Sequence, residues 1–189
     1  MEKLTDYIKR VPNFLSSQEC KEIVQFLAEE GEWRKNEFYH PYTNTTSTRE
    51  TEDESYMCND FTPYNSLIIE KLYFEIVQYQ VFAKTEKVWG TWEGYSPIRF
   101  NRYEKGQNMQ KHVDHITSIF DGDRKGIPTI TLLTAFNDDY EGGALRMFSG
   151  EDVYLEEGEL IIFPSNFLYP HEVATVTGGT RYTGVSWVY

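Results

Sequence analysis

Short segments rich in β-branched and aromatic residues, separated by glycine-containing turns, fill this chain from residue 98 onward. Such residues favour pleated, half-buried surfaces, and short runs with regular turn signals are typical of sandwiches and barrels. Phe, Trp and Tyr make up 16% of the sequence, which favours the same structure. The predicted strands are 98–103, 129–136, 144–148, 152–155, 160–163, 171–176 and 181–188.

Two helices are predicted before these strands. The first begins at Ser16, because Ser-Ser-Gln-Glu places Glu19 where a capping box requires it. Its apolar residues, Cys20 among them, recur on one face, so Cys20 is expected in the core. The second helix covers residues 65 or 66 to 80. Helices followed by a run of strands predict a mainly β domain in which a helix layer packs on a sandwich or jelly roll.

The charge balance restricts the partners of this chain. Its 189 residues have a formal net charge of −12, and no basic stripe is present. Nucleic-acid affinity depends on Lys and Arg neutralising phosphates, so we do not expect a nucleic-acid partner. Cys20 and Cys58 are too few for a secreted disulfide framework, and no signal-peptide pattern or long apolar run occurs. We therefore expect free thiols, no membrane association and a cytoplasmic location.

Residues 34–62 show neither strand nor helix periodicity and include an acidic run from Glu50 to Glu54. We expect a long loop or a loose hairpin. It is either a substrate-facing segment or a solvated acidic surface. His40 lies within it, either as an exposed loop histidine or as a candidate for substrate contact.

The sequence Lys-His-Val-Asp-His at 111–115 is the main candidate for a metal site. In an extended strand residues i and i+2 project from the same face, so His112 and Asp114 can bind one ion while His115 points away. With a distant imidazole they would form the 2-His-1-carboxylate arrangement, which leaves three positions of octahedral Fe(II) open. The remaining candidate for that imidazole is His171.

Arg181 stands in the last predicted strand, where most residues are apolar or aromatic. A charged side chain in a largely buried strand needs a partner, and the guanidinium suits a carboxylate in a two-point contact. That partner is either a protein carboxylate, in a purely structural ion pair, or the carboxylate of a ligand.

Several further motifs occur in the order in which one enzyme family has them. They are Tyr103-Glu104-Lys105-Gly106, His112-Val113-Asp114, 129–137, 141–148, 158–164, 170–173, and Arg181 with Trp187. Residues 11–16 and 19–20 add to this ordered set. The sequence thereby resembles the Fe(II)- and 2-oxoglutarate-dependent oxygenases, specifically their prolyl 4-hydroxylase-like branch, over most of its length.

The resemblance implies a double-stranded β-helix in one domain over residues 1–189. Residues 1–95 would supply helical support and a substrate loop, and residues 96–189 the catalytic jelly-roll core. The implied Fe(II) ligands are His112, Asp114 and His171. The implied contacts of 2-oxoglutarate are Arg181 at the distal carboxylate, Thr183 or Thr131 beside it, and the hydroxyl of Tyr103.

The implied reaction uses O2 and couples decarboxylation of 2-oxoglutarate to succinate with hydroxylation of a C–H bond. Ascorbate can serve as a reductant in such enzymes. One residue departs from the family pattern, since Ala135 stands where many members place a tyrosine that contacts the distal carboxylate. One co-substrate hydrogen bond is therefore missing or replaced.

The resemblance also suggests a substrate. It favours a prolyl residue in a peptide or protein, bound between residues 34–62 and the mouth of the barrel, with Trp187 either lining the pocket or in the core. A branch that acts on alkylated bases has a second arginine at the position of Trp187, so a nucleic-acid substrate is not expected. Because the segment 34–62 contains an acidic run, basic proline-containing peptides should be favoured.

Two alternatives remain open on the sequence. The first is an oxygenase that acts on a free amino acid or a small metabolite. The second is a cupin-like module that binds a metal or a sugar without redox chemistry, which explains the strands and histidines but not Arg181.

Overall fold

A computed structural model of the chain describes residues 2–35, 38–40, 45–47, 57–89, 92, 94–115, 127–148 and 150–189. The helices within these ranges are a short 3-10 helix at Leu4–Tyr7, α1 at Ser17–Glu29 and α2 at Asn65–Phe82. The strands of the first half are β1 (Lys9–Val11), β2 (Arg34–Lys35), β3 (Phe38–His40), β4 (Thr45–Ser47) and β5 (Met57–Asn59). Those of the second half are β6 (Arg99–Glu104), β7 (Met109–His112), β8 (Ile130–Ala135), β9 (Glu141–Gly142), β10 (Leu145–Met147), β11 (Glu151–Val153), β12 (Leu160–Pro164), β13 (His171–Val173), β14 (Val176–Gly178) and β15 (Thr180–Val188).

Two larger sheets form the body of the molecule. One has seven strands in the order β1-β12-β8-β15-β6-β5-β2, and the other has four in the order β11-β10-β13-β7. Two strand pairs, β14-β9 and β3-β4, complete the described sheets, and every described pairing is antiparallel. The sheets remain open rather than closing into a barrel. The expectation of a mainly β jelly roll with N-terminal helices is confirmed.

The central strands of the seven-stranded sheet are buried on both faces. Its outer face packs against the helices in one apolar cluster that includes Phe100, Leu132 and Tyr182 of the sheet and Ile23 and Ile76 of the helices. Its inner face packs against the four-stranded sheet in a second cluster, whose members include Leu133, Val185, Leu145 and Met147. Because successive side chains of a strand point to opposite faces, each central strand contributes to both clusters.

Helix α1 begins as the sequence predicts. The Ser16 hydroxyl accepts a hydrogen bond from the backbone N–H of Glu19, and the Glu19 carboxylate accepts one from the backbone N–H of Ser16. Cys20 is fully buried in the outer cluster, and burial raises the pKa of its thiol to about 12. A thiol so far from ionisation is unreactive, which agrees with the expected core role.

The structure adds short strands such as β1 and β9 to the predicted elements, and it gives more detail in two predicted regions. The strand predicted at 171–176 is two strands, β13 and β14, in different sheets. In the segment 34–62, β3 and β4 form a hairpin, while β2 and β5 pair with each other and extend the seven-stranded sheet. The acidic run from residue 50 to 54 lies outside the described residues.

None of the helices in the described ranges has the length and apolar character needed to span a bilayer.

Candidate active site

The three candidate metal ligands converge between the two larger sheets. His112 and His171 face each other in register on β7 and β13, with ring centroids 4.3 Å apart. Asp114 Oδ1 lies 3.3 Å from His112 Nε2, and its Oδ2 lies 3.6 Å from His171 Nε2. One ligand atom from each residue fits within 4.8 Å of the others, so a single ion can bind all three.

The backbone sets the tautomer of both imidazoles. His112 Nδ1 lies 2.8 Å from the carbonyl oxygen of Gln110, and His171 Nδ1 lies 3.1 Å from that of Tyr169. A carbonyl can only accept, so Nδ1 donates in both rings and the neutral ring has its lone pair on Nε2. Both Nε2 atoms are the ones that face Asp114, which is the orientation that a metal ligand requires.

The ionisation states also suit a metal. Burial alone would raise the pKa of Asp114, but its interactions with the two imidazoles and a hydrogen bond from Thr131 hold it well below its usual range. Burial lowers the pKa of His171, against the opposing effect of Asp114. The site therefore presents a carboxylate and a neutral imidazole, the forms that coordinate cations.

A buried hydroxyl pair fixes the carboxylate. Thr131 Oγ1 donates to Asp114 Oδ2 at 2.8 Å and lies 2.8 Å from Ser165 Oγ, and both hydroxyl residues are 1% exposed. This contact matters because β7 ends at His112 and Asp114 sits in a bend beyond it. The rule that residues i and i+2 of a strand share a face therefore does not by itself place Asp114, which lies beyond the strand. The hydrogen bond from Thr131 holds its carboxylate in position. Its expected contact with 2-oxoglutarate stays a prediction.

Arg181 lies on the inner face of β15 and is only 2% exposed. Its Nη1 donates to Thr183 Oγ1 at 3.4 Å, and its Cζ lies 5.2 Å from the centroid of the Tyr103 ring. No carboxylate of the described residues forms an ion pair with it, so a structural pair does not explain its burial. Gly143, at φ +62°, makes room for its stem, since a Cβ there would stand 3.1 Å from Arg181 Cδ.

Unpaired polar atoms concentrate on this wall of the core. In the described part of the chain, four buried side-chain atoms lack a hydrogen-bond partner, namely Asn101 Oδ1, Arg102 Nε, Arg181 Nε and Trp187 Nε1. The guanidinium of Arg102 lies on the outer face, where it stacks on Trp33 and pairs with Glu104. The other three lie on the inner face of β6 and β15. An unpaired buried group costs about 1–3 kcal/mol, so this clustering indicates a polar ligand.

The remaining predicted residues are placed as follows. Trp187 is 9% exposed within the inner cluster, and the guanidinium carbon of Arg99 lies 5.3 Å from its ring centroid. Tyr103 is 1% exposed, with its hydroxyl 3.7 Å from Met109 Sδ. His115 is exposed. The side chain of His40 lies outside the described residues.

The arrangement fits the expected metal and co-substrate. Two imidazoles and one carboxylate are the donor set of Fe(II) sites with open positions. A buried guanidinium with an unpaired Nε and a hydroxyl neighbour fits a ligand carboxylate. Asn101, Ser165 and Gly143 were not singled out from the sequence, because their roles depend on neighbours that are distant along the chain.

An open groove of about 430 Å³ lies at the edge of the seven-stranded sheet. Its lining residues are Glu32, Trp33, Arg34, Asn59, Asp60 and Phe61. They flank the two ends of the segment 34–62, where Arg34 forms an ion pair with Asp60. The groove contains none of the metal ligands. Strand β5 at its side pairs directly with β6, and the inner face of β6 and β15 forms the wall of the active site that includes Arg181.

Comparisons with known proteins agree with this site. Residues 98–189 match the 2OG-Fe(II) oxygenase superfamily. A PKHD-type hydroxylase of Acinetobacter baumannii (strain SDF) is 29% identical over 187 residues, covering 96% of this chain and 77% of that protein. A PKHD-type hydroxylase of Rippkaea orientalis is 39% identical over 96 residues, covering 48% of this chain and 41% of that protein.

Solved structures show the same fold. A Pseudomonas putida prolyl-4-hydroxylase superposes with a TM-score of 0.67 at 20% identity, covering 96% of this chain and 91% of that one. A prolyl hydroxylase from Trichoplax adhaerens, in complex with a hypoxia inducible factor oxygen degradation domain peptide fragment, gives a TM-score of 0.69 at 19% identity, covering 98% and 84%. The fold is therefore the double-stranded β-helix that the resemblance implied.

These matches favour the oxygenase over one of the two alternatives left open by the sequence, the cupin-like module without redox chemistry. Residues 98–189 match 2OG-Fe(II) oxygenases and the whole chain matches a hydroxylase, and a His-Asp-His cluster is present. Residues 98–189 thus resemble the 2OG-Fe(II) oxygenase superfamily, and the chain as a whole is similar in sequence to PKHD-type hydroxylases and in fold to prolyl hydroxylases.

Proposed function

We propose that this enzyme hydroxylates a prolyl residue of a peptide or protein and couples that reaction to decarboxylation of 2-oxoglutarate to succinate. The observation that carries the proposal is the pairing of two features between the sheets. One is the His112, Asp114 and His171 cluster, and the other is the buried Arg181 without a protein carboxylate.

Each residue of the site has a definable task. Bound Fe(II) and 2-oxoglutarate supply the oxidising chemistry, in which O2 is consumed and succinate and CO2 are released. His112 and His171 present Nε2 to the metal because the backbone holds Nδ1, and Asp114 presents a carboxylate that Thr131 orients. Arg181 binds the distal carboxylate of the co-substrate.

The surroundings of Arg181 strengthen its hold on an anion. The guanidinium is almost completely removed from water, and charge-assisted hydrogen bonds are stronger in such a place than at a surface. Thr183 and the ring of Tyr103 fix its orientation before the ligand arrives. A preorganised donor loses little freedom when it binds, which favours affinity.

A peptide substrate is favoured by the groove and by the neighbours. The Trichoplax adhaerens protein of the same fold was solved with a peptide fragment bound. In the present chain an open groove with both charged and aromatic lining residues runs beside β5, one strand from the active-site wall.

The reaction class is tested by anaerobic titration with Fe(II) and 2-oxoglutarate, followed by visible absorption. We expect the weak charge-transfer band that a chelated 2-oxo acid gives with iron. The band should disappear in His112→Ala and persist in His115→Ala, a matched change at an exposed histidine three residues along the same segment. Iron binding by the wild type without this band would contradict the proposal.

The substrate is tested separately by incubating the loaded enzyme with proline-containing peptides and with free amino acids. We expect a gain of one oxygen atom at proline in peptides, seen by mass spectrometry, with succinate formed in equal amount. Oxidation of a free amino acid but of no peptide would overturn the peptide assignment and leave the use of 2-oxoglutarate intact.

A further inference from the structure

Asn101 is a buried polar residue in the centre of the active-site wall. It lies on β6 in register with Thr183 of β15, and the two residues share a face because cross-strand partners project together. Thr183 accepts a hydrogen bond from Arg181, so this face is the inner one. Asn101 is 6% exposed, and its Oδ1 has no hydrogen-bond partner among the described residues.

A second buried asparagine shows what a structural role requires. Asn137 is 8% exposed, and its amide donates to Asp139 Oδ1 and to the Thr180 carbonyl. Its own Oδ1 accepts from the backbone N–H of Tyr182 at 2.8 Å. Both ends of the Asn137 amide are therefore used within the protein. Within the described part of the chain Asn101 Oδ1 accepts no hydrogen bond, and a buried acceptor without a partner is destabilising unless a ligand pairs with the amide.

The position of Asn101 relative to Arg181 points to which ligand that is. Arg181 and Tyr103 form one register pair of β15 and β6, and Thr183 and Asn101 form the next pair on the same face. Residues two apart in a strand are about 6.6 Å apart along its axis. The Asn101 amide thus lies one step along the wall from the guanidinium.

The direction of that step is toward the metal ligands. Farther along β15 on the same face, Trp187 lies in register with Thr131, whose hydroxyl holds Asp114. A ligand that extends from Arg181 to the metal therefore passes the Asn101 amide. On the other side of Thr183, its register partner Ala135 has only a methyl group to offer. Among the described residues, Asn101 and its register partner Thr183 are the polar side chains at this level.

We propose that the side-chain amide of Asn101 donates a hydrogen bond to 2-oxoglutarate between Arg181 and the metal, and thereby positions the co-substrate. The amide can turn over by rotation about its last bond, so that the donor end rather than Oδ1 faces the ligand. The inference rests on co-substrate binding at Arg181, which is part of the proposed function. It replaces in part the hydrogen bond that is missing at Ala135.

The test is calorimetric titration of the Mn(II)-loaded protein with 2-oxoglutarate, with no turnover needed. We expect the Kd to rise about 10-fold in Asn101→Leu, which removes one hydrogen bond to a charged ligand, and more in Asn101→Asp, whose carboxylate repels the anion. Asn137→Leu is the matched control, and where it remains folded its Kd should equal that of the wild type.

Thermal denaturation without metal or co-substrate gives an independent readout. Asn101→Leu removes an unpaired polar group, so its Tm should rise by about 2–4 °C, whereas Asn137→Leu should lower the Tm because three hydrogen bonds are lost. A structural asparagine at 101 would behave like Asn137.

The outcomes distinguish the proposed role of Asn101 from the proposed use of 2-oxoglutarate by the protein. Weaker binding in both Asn101 variants, with unchanged binding in the control, supports the proposal. An unchanged Kd in either Asn101 variant overturns it. Failure of the wild type itself to bind 2-oxoglutarate would instead refute the proposed function.

Discussion

Alternate residues of β6 and β15 lie in opposite surroundings. On the outer face, Phe100 stacks on Phe136 with ring centroids 5.6 Å apart, and the ring of Tyr182 lies 6.1 Å from that of Trp33. On the inner face, Asn101 and Arg181 have buried polar atoms without a protein partner. The same two strands thus contribute apolar packing on one side and unpaired hydrogen-bonding groups on the other.

The outer face of these strands therefore contributes to the stability of the fold, and the inner face contributes to ligand binding. Closely packed apolar surface stabilises the folded state, while unpaired buried polar groups destabilise it by about 1–3 kcal/mol each. Such groups are retained where a ligand needs them. Changes on the outer face should therefore alter the free energy of unfolding, and changes on the inner face should alter ligand affinity.

The largest expected effect is on the inner side, at the metal. Asp114→Ala removes the charged ligand of a buried site, which costs about 3–5 kcal/mol, so Mn(II) affinity should fall roughly 1,000-fold. Turnover of 2-oxoglutarate should be lost with it. Calorimetry and a succinate assay measure the two effects, and circular dichroism checks that the variant is folded. Retained turnover would refute the metal assignment.

The matching change on the outer face is Phe100→Ala. This ring is fully buried, and its loss should lower the free energy of unfolding by about 3–5 kcal/mol, measured by urea denaturation. The Kd for 2-oxoglutarate should not change in the protein that remains folded. A large change in that Kd would break the comparison, because the two faces would then be coupled.

Arg181→Ala should raise the Kd for 2-oxoglutarate about 100-fold, since it removes charge-assisted hydrogen bonds in a buried site. Its matched control is Arg102→Ala, an arginine of the neighbouring strand whose guanidinium stacks on Trp33 at the outer face. The control should leave the Kd unchanged. Equal losses of affinity in both variants would show that the anchor of the co-substrate lies elsewhere.

Strand β8 offers a threonine on each face. Thr131→Val leaves the Asp114 carboxylate without its hydroxyl donor, and we expect Mn(II) affinity to fall about 10-fold. Thr134, on the outer face, donates to the Glu159 carbonyl, so Thr134→Val should cost about 1 kcal/mol of stability and leave Mn(II) affinity unchanged. Calorimetry and urea denaturation of both variants would show whether the two effects separate.

The smallest expected effect belongs to neither face but to the surface charge. With a net charge of −12, the enzyme should hydroxylate basic proline-containing peptides with a kcat/KM several-fold above that of acidic ones. The preference should become smaller as salt is added, because it reflects the rate at which enzyme and peptide meet rather than contacts in the pocket. Equal rates at low and high ionic strength would refute this view.

Most of the fold could be predicted from local patterns. Strands β6, β8, β10, β12 and β15 lie within a residue or two of their predicted bounds, and α1 begins at its predicted cap. Short edge strands such as β1 and β9 were not predicted, because two or three residues have no measurable period. The division of 171–176 into two strands was also missed, since it depends on which sheet each part joins.

The candidate site could be predicted only in part. His112 and Asp114 are two residues apart, so a local argument brings them together. His171 was the remaining candidate imidazole and Arg181 a charged residue in an apolar strand, and the resemblance to a family gave both of them roles. The roles of Thr131 and Asn101 could not be inferred, because each depends on a partner in another strand rather than on its own sequence neighbours.

The sequence by itself determined the class of the fold, the buried helix faces and the residue types able to bind iron and a carboxylate. Those features depend on side-chain period and chemistry, which are local. Only the tertiary structure decided which polar groups stay unpaired, because that depends on register between strands far apart in the chain. The register places Asn101 between Arg181 and the metal ligands, a position that no motif records.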